Sequence, residues 1–197
     1  MAANRNDASI ADCLTALNSG FEDEDRLSKL MHYVGEAGER SCAPTIAQYL
    51  GHPSDRIRHM AVHVLLHHYK LMEYADDAWR MLLTDPSDYV KEAAMNGLSS
   101  LYQGSRNTCV CGKLVQAVRQ MGSLDEHTAS LDWRRRGVDA LLWTFLIRSI
   151  AWIMGENPTL LKYRTRVMSL DELDALIGTW KREEQGCPED GLKGTDQ

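Results

Sequence analysis

The chain of 197 residues contains only two phenylalanines and five prolines. No stretch alternates apolar and polar residues with period two, which excludes a sheet with one wet face. No uninterrupted apolar run reaches the roughly 20 residues that a bilayer requires. The nearest, Val138 to Met154, is broken by Asp139, Arg148 and Ser149. Residues Met1 to Ser9 lack the apolar core of a secretory signal. The five cysteines, Cys13, Cys42, Cys109, Cys111 and Cys187, follow neither a disulfide framework nor a zinc spacing. These absences predict reduced thiols, a cytoplasmic location and no membrane span. A glycine-rich phosphate loop, a His-Glu-x-x-His pair and a nucleophile–base arrangement are also missing. Nothing in the sequence calls for a cofactor.

What is present is a soluble-protein composition with helical periodicity. Hydrophobic residues are 44% and charged residues 25%, and the formal charge of -6 argues against a general binder of nucleic acid. Leu27, Leu30, Met31 and Val34 fall at i, i+3, i+4 and i+7, one face of a helix. Ile57, Ala61, Val64, Leu65 and His68 repeat that stripe, as do Val90, Ala94, Leu98 and Leu101.

The stripes are related. With a shift of 33 positions, Pro53-Ser54-Asp55 falls on Pro86-Ser87-Asp88, and Ala61, Leu65 and Tyr69 fall on Ala94, Leu98 and Tyr102. Six identities over the 17 positions from Pro53 to Tyr69 exceed the roughly one that residue frequencies would give. Fainter copies align Asp25, Leu27, Met31 and Val34, and later Trp133, Arg134, Gly137 and Leu141, with an insertion near 104–107 or 122–130. A repeat of this length predicts stacked helix pairs.

The run Ala43-Pro44-Thr45-Ile46 followed by Asp55-Arg56-Ile57-Arg58 resembles the bacterial HEAT-repeat pattern over residues 10 to 145. Asp88/Val90/Lys91 match that pattern conservatively, and Leu131 replaces the aspartate in the last copy. The resemblance implies an all-α fold, a short α-solenoid of about four HEAT-like helix pairs with a C-terminal helical cap. The pairs are expected at 8–19 with 25–35, 43–50 with 55–69, 72–83 with 88–102, and 109–121 with a helix from Leu131. Residues 1–9 are expected to be flexible, 10–182 to form a single domain and 183–197 to be disordered. Asn157-Pro158 and the capping-box spacing Ser169-x-x-Glu172 predict two capping helices.

In a HEAT array the second helix of each pair lines the concave surface. The outward positions there are Arg56, His59 and His63, then Tyr89, Glu92 and Asn96, then Asp132, Arg135 and Asp139. Their mixed chemistry predicts a protein–protein interaction module: an adaptor, a regulatory subunit or an immunity-type binder. The alternative is an enzyme or nucleic-acid-acting HEAT protein, by two routes. Residues 106–166 carry ten basic and five acidic side chains, including Arg134-Arg135-Arg136 beside Trp133, and Lys162, Arg164 and Arg166. A DNA-repair-like protein would use that basic middle. A metal-dependent one would use His59, His63 and His67, at i, i+4 and i+8. The plainer reading of that row is an exposed polar face opposite Ile57, Ala61 and Leu65. The helix around Trp143 to Met154 is apolar on nearly all sides and requires cover, from the C-terminal helices or from a second copy of the chain as a homodimer.

The register makes a direct prediction. Ala61→Glu and Ala94→Glu each bury an unpaired charge and are expected to cost about 3 kcal/mol or more, or to unfold the protein. His63→Glu, on the opposite face, is expected to be mild; equilibrium denaturation of the three variants checks the register.

Overall fold

The computed structural model describes residues 10–19, 23–121, 140–159, 161 and 168–183, and every regular element among them is helical. In chain order these are α1 (Ile10–Ser19), α2 (Glu24–Glu36), α3 (Ala43–Ala47), α4 (Asp55–Val62), α5 (Ala75–Thr84), α6 (Asp88–Leu101), α7 (Thr108–Met121), α8 (Ala140–Met154) and α9 (Leu170–Glu183). Short 3-10 turns flank α3 at Arg40–Cys42 and Gln48–Gly51 and precede α5 at Met72–Tyr74. Among the described residues, no helix is long and apolar enough to cross a membrane. Residues 1–9, the helix expected from Leu131 and the tail beyond Glu183 lie outside the described residues. The chain divides into two compact units, Met1–Leu101 and Tyr102–Gln197, where the sequence reading has one domain over 10–182.

In the first unit the apolar stripes form the core. Leu27, Met31 and Val34 of α2, Ile57 and Ala61 of α4 with Val64 and Leu65 beyond it, and Val90, Ala94 and Leu98 of α6 are all fully buried. Leu30, His68 and Leu101, also on the expected stripes, are only half-buried. A buried Val, Leu or Ile contributes about 1.5–3 kcal/mol, whereas an exposed pair such as Arg80–Asp77 contributes about 0–1 kcal/mol. Packing therefore dominates the stability of this unit.

Helix α4 packs against both α2 and α6. Helix starts meet helix starts (Ser54 with Glu24, Ser87 with Asp55) and far halves meet far halves (Gly35 beside Val64, Gly97 beside Leu66), so the three run in the same direction. Each begins with an acid, Glu24, Asp55 or Asp88, which favours the positive end of its helix dipole. Ser54, at the N-cap of α4, makes no side-chain bond to its own helix. Its hydroxyl donates instead to Glu24 Oε2 of α2 at 2.7 Å. One repeat later the hydroxyl of Ser87 donates to Asp55 Oδ2 at the same 2.7 Å. The recurring Pro-Ser-Asp thus sets the lateral register of neighbouring helices.

A second tie is buried. Arg58 and Asp85 form a two-pronged pair, Nε to Oδ2 and Nη2 to Oδ1, both 2.8 Å. The Arg58 side chain is 11% exposed and that of Asp85 6%. Arg58 Nη1 also donates to the carbonyls of His52 and Pro53, and the Ser87 amide donates to Asp85. Burial alone would raise the Asp85 carboxyl, but the hydrogen bonds from Arg58 and Ser87 and the Arg58 charge bring it below its ordinary range.

In the second unit α7 packs against α8 and α9. Arg119 of α7 reaches Asp171 of α9 at 2.7 Å and Asp174 at 3.5 Å. The expected capping box is present at α9: Glu172 N donates to Ser169 Oγ at 3.2 Å, and Ser169 N donates to Glu172 Oε2 at 2.7 Å. Asn157 caps the turn after it by accepting from Thr159 N at 2.9 Å. Helix α8 ends on Gly155 at φ +70°, with Gly155 N bonded to the Trp152 carbonyl and Glu156 N to that of Ala151. These are the two bonds of a Schellman motif. Trp143, Leu146, Ile147, Ile150, Ile153 and Met154 are buried within the chain, so the homodimer expectation loses the observation that motivated it. Among the residues of α8 whose burial is described, Thr144, Phe145, Arg148 and Trp152 are half-buried, the last three forming a stripe with the guanidinium lying over both rings.

Removing Asp85 leaves the Arg58 charge buried against carbonyls alone. Asp85→Ala is expected to cost about 3–5 kcal/mol. Asp25→Ala, which breaks the exposed Arg56–Asp25 pair, is expected to cost less than about 1 kcal/mol. Urea denaturation of both variants gives the comparison.

Candidate functional site

The most densely functionalised surface among the described residues is built on α4 and its continuation. After Val62 the helix does not stay α-helical: His63–His68 form a π-helical segment, closed by the Tyr69 amide donating to the Val64 carbonyl five residues back at 2.9 Å. The extra residue widens the turn and changes which side chains meet. On its C-terminal side His63 has two histidine neighbours instead of one: His67 stacks on it at 4.9 Å between ring centroids, and His68 meets it edge-on at the same distance. A straight α-helix would have left His68 on the apolar stripe with Leu65.

The row extends in both directions. The His59 ring lies parallel to that of His63, 6.2 Å away. On its other side His59 stacks on Tyr89 of α6 at 3.8 Å with the planes 1° apart. His68 turns toward α2, where its ring meets His32 at 5.8 Å, and His32 Nε2 lies 3.3 Å from Glu36 Oε1. Imidazoles and a phenol therefore link all three helices.

Two glycines accommodate the wider segment. A Cβ on Gly35 of α2 would lie 3.0 Å from Val64 Cγ2 and 3.3 Å from His68 Cδ2. One on Gly97 of α6 would lie 2.7 Å from Leu66 Cδ1 and 2.8 Å from Leu66 Cβ. The helices can approach the π segment because neither presents a side chain there.

Several sequence-derived site residues come together and others do not. His59, His63 and Tyr89 form one continuous surface. Arg56 turns to the opposite neighbour and pairs with Asp25 of α2. Glu92 and Asn96, one and two turns along α6 from Tyr89, are half-buried on the same face. Asp132, Arg135 and Asp139 lie outside the described residues, as do Trp133, Arg134, Arg136, Lys162, Arg164, Arg166 and Cys187. The exposed-row expectation for the histidines is corrected: His67 is exposed, but His59 and His63 are half-buried because α6 and the π turn close over them. His63→Glu therefore places a charge inside the ring cluster and is not the mild change that an exposed row would make it. His52 takes no part. Its Nδ1 accepts from the Ser54 amide at 3.1 Å.

Sequence reasoning missed His32 and the outward turn of His68. The available signal was glycine inside helical patterns, which marks close backbone approach.

Electrostatically the row is short of positive charge. Burial lowers His59, partly offset by the Asp55 carboxylate. Burial, then the neighbouring imidazoles, push His63 down to about 4. Burial, then His67 and His32, lower His68 against the pull of Glu36. At neutral pH these three rings are uncharged hydrogen-bonding planes. Stacked rings do not aim their nitrogens at a common point, and no group of three His, Cys, Asp or Glu side chains among the described residues is placed to hold a metal ion. Cys13, Cys42 and Cys111 are buried and Cys109 is half-buried.

No family model matches this chain, and no curated protein or solved structure does so either.

The glycine contacts predict opposite signs for one substitution. Gly97→Ala gains about 1 kcal/mol of helix propensity but drives a methyl group into Leu66, for a net cost of about 1–2 kcal/mol. Gly112→Ala in α7, where a Cβ would meet nothing within 4 Å, is expected to stabilise by about 0.5–1 kcal/mol. Thermal denaturation of both variants distinguishes crowding from propensity.

Proposed function

We propose that this protein is a binding module, a short HEAT-like α-solenoid that grips another protein through the face of α2, α4 and α6. The observation that carries the reading is the ring row Tyr89–His59–His63–His67, which crosses from α6 to α4 and stays accessible at both ends. Tyr89 is 50% exposed although its ring is stacked on His59, which leaves an apolar face with a polar tip on the surface. Glu92 and Asn96 stand along the same face of α6, and Arg56, paired with Asp25, borders the row on the α2 side; they add charge and hydrogen-bonding groups without any nucleophile–base pair. Such a surface suits recognition, where rigid aromatic anchors supply most of the affinity.

The HEAT-like assignment is supported by the parallel order of α2, α4 and α6 and by the repeated serine–carboxylate bond between them. It is further supported by Arg58, at the arginine position of the Asp-x-(Val/Ile)-Arg turn, which pairs with an aspartate from the next turn. Adaptor, regulatory subunit and immunity-type binder all use a surface of this kind.

The test is affinity capture from the native host with the wild-type chain and two face variants, Tyr89→Ala and Glu92→Lys. One dominant protein partner is expected with the wild type. Its retention is expected to fall at least tenfold with Tyr89→Ala, about 1.4 kcal/mol or more, as for a central aromatic anchor. Equal retention by all three folded chains would remove the face from the account. Retention of DNA instead, falling steeply with salt, would favour the nucleic-acid alternative.

A further inference from the structure

Five imidazoles lie in continuous ring contact across two helices: His32 on α2, and His59, His63, His67 and His68 on α4 and its π extension. A protonated imidazole needs an acceptor for each of its two N–H groups. His68 Nε2 is buried with no hydrogen-bond partner, so a proton placed there would have no acceptor. On the α2 side the ring lies beside Gly35, where even a Cβ would come within 3.3 Å of His68 Cδ2, and its edge meets His32 at 5.8 Å between centroids.

We propose that this cluster is an acid-sensitive latch: its neutral imidazoles let α2 close on the π segment, and proton uptake by His63 and His68 forces α2 off and dismantles the docking face. The loss of docking rests on the function proposed above, whereas the latch itself rests on the packing alone.

The surrounding groups define the switch. On the same element, His59 and His67 repel a charge on His63, and Asp55 at the helix start favours one on His59. From α2, His32 repels and Glu36 attracts. From α6, Tyr89 stacks on His59, and Glu92 stands one turn further along the same face. Helix α3, Ala-Pro-Thr-Ile-Ala, carries no titratable side chain. The Met72–Tyr74 turn brings Glu73 and Tyr74, neither among the groups that act on His63 or His68. The carboxylates that oppose the repulsion, Asp55 and Glu36, sit at the two ends of the row, and the middle has only histidines.

The sign follows from linkage. His63 has an ordinary value of 6.5 when unfolded and about 4 when folded, so the unfolded chain takes up the proton first. Stability is therefore complete above the ordinary histidine value and falls as the pH drops through 6.5 toward about 4. Asp85 responds only at lower pH, since its carboxyl is held below an ordinary 3.8, so the two effects occupy separate windows.

The test uses the full chain: a histidine side-chain NMR titration, with urea denaturation at about pH 7.5 and about pH 5. The His63 ring is expected to titrate near 4. The unfolding equilibrium constant is expected to rise roughly tenfold to thirtyfold between those conditions. In a His63→Gln/His68→Gln variant most of that rise should vanish. A His63 ring titrating at the ordinary 6.5, or an undiminished rise in the variant, overturns the proposal. Should the variant fail to fold, the wild-type titration decides alone. None of these measurements involves a partner. Acid sensitivity without any partner would retain the latch and remove the docking reading; a partner held at neutral pH by a chain with ordinary histidines would do the reverse.

Discussion

Between Gly35 and Gly97 the widened turn of α4 meets a neighbour on each side with no Cβ in the way. That double close approach is the constraint on which the rest of the first unit depends. A π turn holds one more residue than an α turn and projects further, so an alanine on either flank would hold the helices apart. With the helices held close, Tyr69 can bury its ring and donate to the Val34 carbonyl at 2.9 Å. Tyr89 can settle on His59, and His68 can reach His32. The serine–carboxylate bonds at the helix starts fix the sliding register, and the glycines at the far halves fix the separation.

The same geometry explains the chemistry of the surface. Histidines at i and i+4 on a regular exposed helix would each keep most of their water. Here the extra residue brings His67 and His68 to His63 together, and α6 covers His59 from the side. Desolvation and mutual repulsion then act in the same direction and favour neutral rings. Where the carboxylates stand matters as much as how many there are. Asp55 and Glu36 flank the row and leave its centre uncompensated.

Much of the helical layout was legible in the sequence because it is written in local periodicity. The stripes Leu27/Met31/Val34, Ile57/Ala61/Leu65 and Val90/Ala94/Leu98 are core in the structure, and Ser169 and Glu172 form the capping box that their spacing announces. The repeated Pro-Ser-Asp was visible as a repeat, but not the bond that each serine makes to the preceding helix, since local patterns carry no information about lateral partners. The helix expected over 43–50 is shorter and flanked by tight turns. His52 precedes Pro53 and is held extended, which stops the helix there. The π segment was invisible to a 3.6-residue analysis by construction, and with it went the placement of His68. The site was accordingly half legible: His59, His63 and Tyr89 were chosen from helix geometry, whereas their stacking and their burial arise from packing between helices.

The continuous face depends most directly on one contact, His59 of α4 against Tyr89 of α6, which requires the two helices to be adjacent, parallel and in this register. It is measured by two-dimensional nuclear Overhauser spectroscopy on the folded chain at neutral pH, with a Tyr89→Leu variant as reference. Strong cross-peaks between the two rings are predicted, together with ring-current-shifted His59 protons that return toward ordinary positions in the variant. His59 protons at ordinary positions in the wild type, with no cross-peak to Tyr89, would contradict the stacked arrangement and with it the continuous face.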